Sequence, residues 1–165
     1  MADYAKVSTP LGEMFLVSEE SALCGAWFVG QKYFPSLENW QERENSVLKA
    51  AAQELRLYFA GKLRKFSIPA HPVGTAFQQK VWMAIAEIPY QHVSSYGELA
   101  AKLGSSPRAV GAATGRNPVS LFIPCHRVVG SDGAITGYAG GLDKKKALLA
   151  LEGVKVDEDK VVRKH

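Results

Sequence analysis

Residues 95–115 read SYGELAAKLGSSPRAVGAATG, and this stretch decides the fold of the second half of the chain. Ser95 with Glu98 three positions on is a capping-box pattern, so a helix is expected from Tyr96 to Leu103, with Gly104 ending it. Ser106 then supplies a cap and Pro107 a first-turn proline for a second helix reaching about Gly115. Two short helices joined by about three residues, one of them glycine, form a helix-turn-helix signature. The second helix is built mostly of small residues, Ala109, Gly111, Ala112, Ala113 and Thr114, with Arg108 near its start and Arg116 just past its end. Such a face allows close approach, either of another helix or of a nucleic-acid backbone whose phosphates the arginines would meet. Spacing alone leaves both open.

Working outward, Thr75 and Gln78 repeat the capping box, and Phe77, Val81, Trp82 and Ile85 then line one face of a core helix that ends before Pro89. The breaker-rich run Pro69-Ala70-His71-Pro72-Val73-Gly74 is the natural domain boundary, dividing the chain into an N-terminal mixed domain with linker (1–74) and a C-terminal domain (75–165). In the first domain, Met14–Val17 and Leu23–Val29 read as a hairpin, Thr9-Pro10-Leu11-Gly12 as a turn, Asn45–Ala60 as a helix stopped by Gly61, and Phe66–Ile68 as a short strand. In the second, Val119–Ile123 reads as an apolar strand. The tetrad Pro124-Cys125-His126-Arg127 follows, then a turn at Gly130–Gly133, the loop Gly137-Tyr138-Ala139-Gly140-Gly141 and a helix ending near Glu152-Gly153. The last dozen charged residues are expected to fray. The class is α/β of the α+β kind.

With 165 residues, 47% hydrophobic and 22% charged, the chain can bury one good core or two small ones without metal or disulfide help. No stretch is long and apolar enough for a membrane span, and the start lacks a signal pattern, so a cytoplasmic protein is expected. Cys24 and Cys125 belong to no ligand spacing, which indicates free thiols, no metal site and no cofactor. Residues 1–75 carry eight Lys/Arg and eight Asp/Glu, residues 76–165 twelve and eight, so the whole net charge of +4 falls in the second half. A polyanion would bind there.

Cys24 sits inside an apolar strand and reads as an inert buried thiol. Cys125 follows a proline at the end of a strand, where side chains are presented to a site, and His126 and Arg127 place a base and a permanent cation beside it. That is the pattern of an activated nucleophile. Neighbours in an extended strand point to opposite faces, so either the chain bends here or a water relays the proton. A histidine base needs a third group to fix its tautomer, and Glu152, the only acid between Asp143 and Asp157, is the candidate.

Ile123-Pro124-Cys125-His126-Arg127-Val128-Val129 resembles the active-site signature of the O6-alkylguanine-DNA alkyltransferases. The likeness extends through Ser95–Ala100, Arg108–Gly111, Asn117-Pro118 and Gly137–Gly141, covering roughly residues 75–153. The resemblance implies a ribonuclease H-like first domain, a DNA-binding second domain, and repair by flipping O6-alkylguanine from the duplex and transferring the alkyl group irreversibly to Cys125, with O4-alkylthymine as a further possible substrate. It implies His126 as the base acting through a water, Glu152 orienting it, Asn117 bracing the site, and Tyr96 promoting nucleotide rotation and protonating the departing guanine. Arg108 would fill the space of the flipped base, with Ala109, Gly111, Ala112, Thr114 and Arg116 also against the minor groove. Val128, Tyr138, Ala139 and Thr114 would line the pocket. The implied partner is double-stranded DNA, bound by a monomer with cooperativity left open, at the nucleoid if the host is bacterial. Two other readings compete. A cysteine hydrolase or thiol peroxidase has no need of the helix-turn-helix, and a regulator or lesion-sensing module would want base-reading side chains that Ala, Gly, Val and Thr do not supply.

Overall fold

Residues 2–162 are described by the computed structural model, and they fold as two units. One holds the chain up to Val73 together with Pro118–Phe122; the other holds Gly74–Asn117 and the chain from Ile123 onward.

The first unit is a four-stranded sheet of order β3-β2-β1-β4, formed by β1 (Asp3–Thr9), β2 (Gly12–Glu19), β3 (Ala22–Phe28) and β4 (Gln41–Glu42). The first three strands are antiparallel neighbours, and β4 runs parallel to β1. Central β2 is apolar along Met14–Val17 because both of its faces are covered. Helix α1 (Ser46–Phe59) packs on β1–β3 and buries Leu48, Ala51, Ala52, Leu55 and Tyr58. Asn45 caps it by accepting from Leu48 N, and Gly61 follows with φ +75°, a conformation glycine adopts without strain. A second cluster joins Ala2, Val17 and Trp27 to Tyr4, Cys24, Phe34 and Trp40. The hairpin and α1 match expectation. Strand β1 was legible only as the turn that ends it, since Val7 alone among its seven residues is buried.

Two expected strands are absent. Phe66–Ile68 is irregular because its backbone is satisfied by a side chain: Glu54 accepts from Ser67 N (2.9 Å) and Ile68 N (3.3 Å). Val119–Ile123 meets the edge of β3 only briefly, through Ala26 N to Pro118 O (2.8 Å) and Ser120 N to Ala26 O (3.0 Å). It then turns at Leu121 (φ +75°), which ends the pairing.

The second unit is mainly helical. Helix α2 (Ala76–Ala86) begins with the full Thr75/Gln78 capping box. The two-residue strand β5 (Ser94–Ser95) leads into α3 (Tyr96–Leu103), which carries the full Ser95/Glu98 box and ends at Gly104 in the left-handed region (φ +65°). Helix α4 (Pro107–Gly115) starts from Ser106 with proline in its first turn, so the helix-turn-helix is present as expected. Trp82 is 2% exposed and its indole N–H donates to Ala113 O at 2.8 Å, tying α2 to α4. A single 3₁₀ turn at Cys125–Arg127 leads into β6 (Val128–Val129), which pairs in parallel with β5. Helix α5 (Leu142–Leu151) follows. The expected fraying is corrected for the segment after it. There β7 (Val156–Asp157) and β8 (Lys160–Val161) form a hairpin, and Val154 and Val161 join Val129, Ile135 and Leu149 in a core cluster. Those valines anchor an otherwise charged run, and residues 163–165 lie outside the described ones. Among the described residues, no helix is long and apolar enough to cross a membrane.

Candidate active site

The site is assembled from five pieces of the second unit: the start of α3, Asn117 just after α4, the turn at Cys125–Arg127, the loop before α5, and one stripe of α5 itself. The β5–β6 pairing sets Ser94 opposite Val128, which brings Tyr96, at the start of α3, close to the nucleophile turn. At Cys125 the backbone bends rather than extending: Cys125 N donates to Ile123 O (2.8 Å) and Arg127 N to Pro124 O (2.9 Å). The chain therefore turns at the nucleophile instead of continuing the strand, and Nδ1 of His126 makes no direct hydrogen bond to the thiol.

Cys125 is buried, and burial pushes its thiol above the ordinary value. A hydrogen bond from the Asn117 side chain and the charge of Lys145 pull the other way. Asn117 is itself buried, and its Nδ2 also donates to Ile123 O at 2.8 Å, so one amide holds both the sulfur and the backbone leading to it.

His126 is fully buried, and burial lowers its pKa even though the bond to Glu152 acts in the opposite direction. The ring is therefore neutral at pH 7. Its Nε2 lies 2.7 Å from Glu152 Oε2, while Nδ1 has no hydrogen-bond partner among the described residues. An ionised carboxylate accepts only, so the proton belongs on Nε2 and Nδ1 presents a free lone pair. Burial works against the Glu152 charge, but hydrogen bonds from His126 and Arg127 hold its carboxyl down to about 2.

Arg127 is placed differently from expectation. Its Nε and Nη2 fork the two Glu152 oxygens at 2.8 and 2.9 Å, and Nη1 donates to Ile88 O at 2.7 Å. The guanidinium thus neutralises Glu152 rather than activating Cys125. The sequence expectation of a thiolate favoured by its neighbouring cation is corrected on that ground.

Tyr96 donates its hydroxyl to Thr136 O at 3.1 Å. Burial first, and the Cys125 charge second, raise its pKa. A Cβ on Gly111 of α4 would touch the Tyr96 ring at 3.8 Å, and one on Gly137 would lie 3.5 Å from its hydroxyl. Tyr96 therefore stands between α4 and the loop. Tyr138 and Ala139 follow Gly137 in that loop and are half-buried, while Val128 is fully buried.

The two readings of α4 divide between its faces. Val110, Ala113 and Thr114 pack inward; Arg108, Ala112 and Arg116, at helical spacing of four, are exposed, and Ala109 and Gly111 are half-buried. Thr114 is 5% exposed and its hydroxyl donates to Val110 O at 2.7 Å. Its expected place on the DNA-facing side is thus corrected: the position points into the core.

Sequence reasoning missed Lys145. Its ammonium donates to the carbonyls of Val128 (2.5 Å), Thr136 (2.7 Å) and Gly137 (3.2 Å), and burial lowers its pKa to about 8, against the Cys125 charge. A signal was present: Lys145, Leu148, Leu149 and Glu152 fall on one stripe at i, i+3, i+4 and i+7, and all four are buried. The flanking Lys144 and Lys146 masked it.

Two family models match the chain: the 6-O-methylguanine DNA methyltransferase ribonuclease-like domain over residues 3–72 and the DNA binding domain of the same family over residues 76–154. The methylated-DNA–protein-cysteine methyltransferase of Mycolicibacterium paratuberculosis is 43% identical over 92% of this chain and 93% of its own length. The protein of that name from Methanosarcina acetivorans is 43% identical over 91% and 97%. Among solved structures, the Mycobacterium tuberculosis O6-methylguanine methyltransferase superposes with a TM-score of 0.86 at 40% identity, covering 96% of this chain and 97% of that one. The crystal structure of Mycobacterium tuberculosis OGT in complex with DNA gives 0.85 at 39% identity, covering 91% and 92%.

Proposed function

The chain belongs to the 6-O-methylguanine DNA methyltransferase family, and from that premise we propose that it repairs DNA by direct reversal, moving the alkyl group of O6-alkylguanine to Cys125. The observation that carries this reading is the polar arrangement around the sulfur, in which Asn117 bonds Cys125 while His126 is fixed by Glu152 with its Nδ1 lone pair free. That lone pair takes the thiol proton through a bridging water. The thiolate electron pair then forms the S–C bond as the C–O6 bond breaks, its pair passing to the guanine, which gains a proton from the Tyr96 hydroxyl. Exchange with solvent returns His126 and Tyr96 to their neutral forms. The resulting thioether has no simple route back to thiol, so each molecule acts once.

The exposed stripe of Arg108, Ala112 and Arg116 is the surface on which duplex DNA lies, with Ala109 and Gly111 allowing close approach at the minor groove and Arg108 occupying the place of the flipped base. Extruding a base costs a few kcal/mol, and less where its pairing is already damaged. The stripe offers no bidentate base-reading group apart from its arginines, which suits binding that tolerates any flanking sequence. Val128, Tyr138 and Ala139 form the pocket wall; Ala139 provides only its backbone there. In this reading residues 75–165 carry DNA binding and transfer, residues 1–74 form the accompanying mixed domain, and the protein works as a monomer in the cytoplasm, at the nucleoid in a bacterial host. The test is mass spectrometry after mixing with duplex containing O6-methylguanine. One methyl group is expected, on Cys125, and none after Cys125→Ser; label on Cys24 would overturn the assignment.

A further inference from the structure

Lys145 is fully buried, and its three hydrogen bonds all go to backbone carbonyls, one on β6 and two in the loop before α5. Three N–H groups meet three acceptors, which is the complement of an ammonium; a neutral amine has only two hydrogens to give. The carbonyls satisfy its donors but do not cancel its charge. The titratable groups that face it are Cys125 and His126 on the nucleophile turn and Tyr96 on α3, whose ring centre is 5.8 Å from Nζ; Glu152 closes the same helix. Glu152 is already paired with Arg127 and His126. The Coulombic influence between Lys145 and Cys125 is mutual, so a thiolate at Cys125 is the anion this site makes available to the ammonium.

We propose that Lys145 is a positioning residue for the transfer: its ammonium favours the Cys125 thiolate and at the same time pins the Val128 wall to the Thr136–Gly137 loop. Alkylation then changes both functions together. When the sulfur anion becomes a neutral thioether, the ammonium loses its counter-charge, gives up its proton more readily and, as an amine, can hold only two of the three carbonyls. The clasp between wall and loop loosens as a consequence of the chemistry. This builds on the reading of Cys125 as alkyl acceptor, so its test is done without DNA.

In the intact protein, the ε-carbon of Lys145 is followed by NMR through a pH titration before and after one neutral carbamidomethyl group is placed on Cys125 with iodoacetamide, its position checked by peptide mapping. The midpoint is expected to fall by about one pH unit on modification. An unchanged midpoint overturns the proposal. In parallel, the pH profile of Cys125 carbamidomethylation is measured for Lys145→Met and Lys145→Arg. With methionine the inflection should move to higher pH and the rate at pH 7 fall about tenfold, and arginine should restore most of the rate. A methionine variant with native circular dichroism and a wild-type profile also overturns it; if that variant does not fold, the titration of the intact protein decides. Should the lysine titration respond while methylated duplex leaves Cys125 unlabelled, the acceptor assignment fails and the coupling stands.

Discussion

The two ends of α5 hold buried ions of opposite sign in opposite ways. Glu152, at the C-terminal end, is 1% exposed and receives a forked guanidinium and an imidazole N–H, so its charge is cancelled in place. Lys145, seven residues earlier on the same stripe, donates to three carbonyls and, among the described residues, forms no ion pair with a carboxylate. The first arrangement is a permanent ion pair that fixes a tautomer. The second is a charge left uncompensated, and an uncompensated charge biases whatever titrates beside it. The difference teaches that burial of an ion does not itself assign a role; the sign and completeness of its partners do.

The comparison can be broken most directly through stability. Glu152→Ala strands Arg127 as an unpaired buried charge and should cost about 3–5 kcal/mol. Lys145→Met removes a charge that has no paired carboxylate among the described residues and keeps the volume filled, so it should cost no more than about 1–3 kcal/mol, the penalty of orphaned carbonyls. Urea denaturation measures both, and equal losses would remove the distinction.

A smaller effect appears in pH dependence. Glu152 is held to about 2 against a reference of 4.5, so its contribution is present above pH 4.5 and is lost as pH falls through the window toward 2. His126, with its pKa lowered from 6.5, adds loss on acidification below that value, since the unfolded ring binds a proton the folded one refuses. Lys145, lowered from 10.5 to about 8, makes the unfolded state the better proton binder above pH 8, so stability should rise from about pH 8 to 9. Above 9 the Cys125 thiol, raised from that value, works in the opposite direction, because the unfolded thiol ionises first. The urea midpoint traced from pH 3 to 9 should therefore climb at both ends of the range. Lys145→Met should flatten only the alkaline climb.

The smallest stability effect is expected on the exposed stripe. Arg108→Ala should alter stability by less than about 0.5 kcal/mol. It should nonetheless weaken duplex binding and reduce the magnitude of the salt slope by about one. A stability loss comparable to that of Glu152→Ala would mean that α4's outer face is structural.

Much of this was legible in the sequence because the relevant signals are local. Capping boxes at Thr75 and Ser95, the Ser106-Pro107 start and the Gly104 stop are satisfied within a turn of helix, so three helices were readable from their ends. Pairing of His126 with Glu152 was also accessible, since few acids compete for it. What was not legible depends on distant partners. Phe66–Ile68 reads as a strand until Glu54 claims its N–H groups, and Val119–Ile123 reads as one until Leu121 turns the chain. Arg127 adjoins Cys125 in sequence, yet its guanidinium goes to Glu152 and Ile88. Lys145 sits in a run of three lysines where composition suggests a solvated surface, and only the helical phase of Leu148 and Leu149 separates it from its neighbours.

The carbonyl of Thr136 accepts from two donors at once, the Tyr96 hydroxyl at 3.1 Å and the Lys145 ammonium at 2.7 Å. A phenol has one proton, so Tyr96 cannot serve a bound base while it serves Thr136. When it turns away, the carbonyl oxygen is still occupied by Lys145 and is not orphaned. The exchange therefore forfeits a single neutral hydrogen bond, on the order of 1 kcal/mol, and the tyrosine rests in a position that is easy to leave.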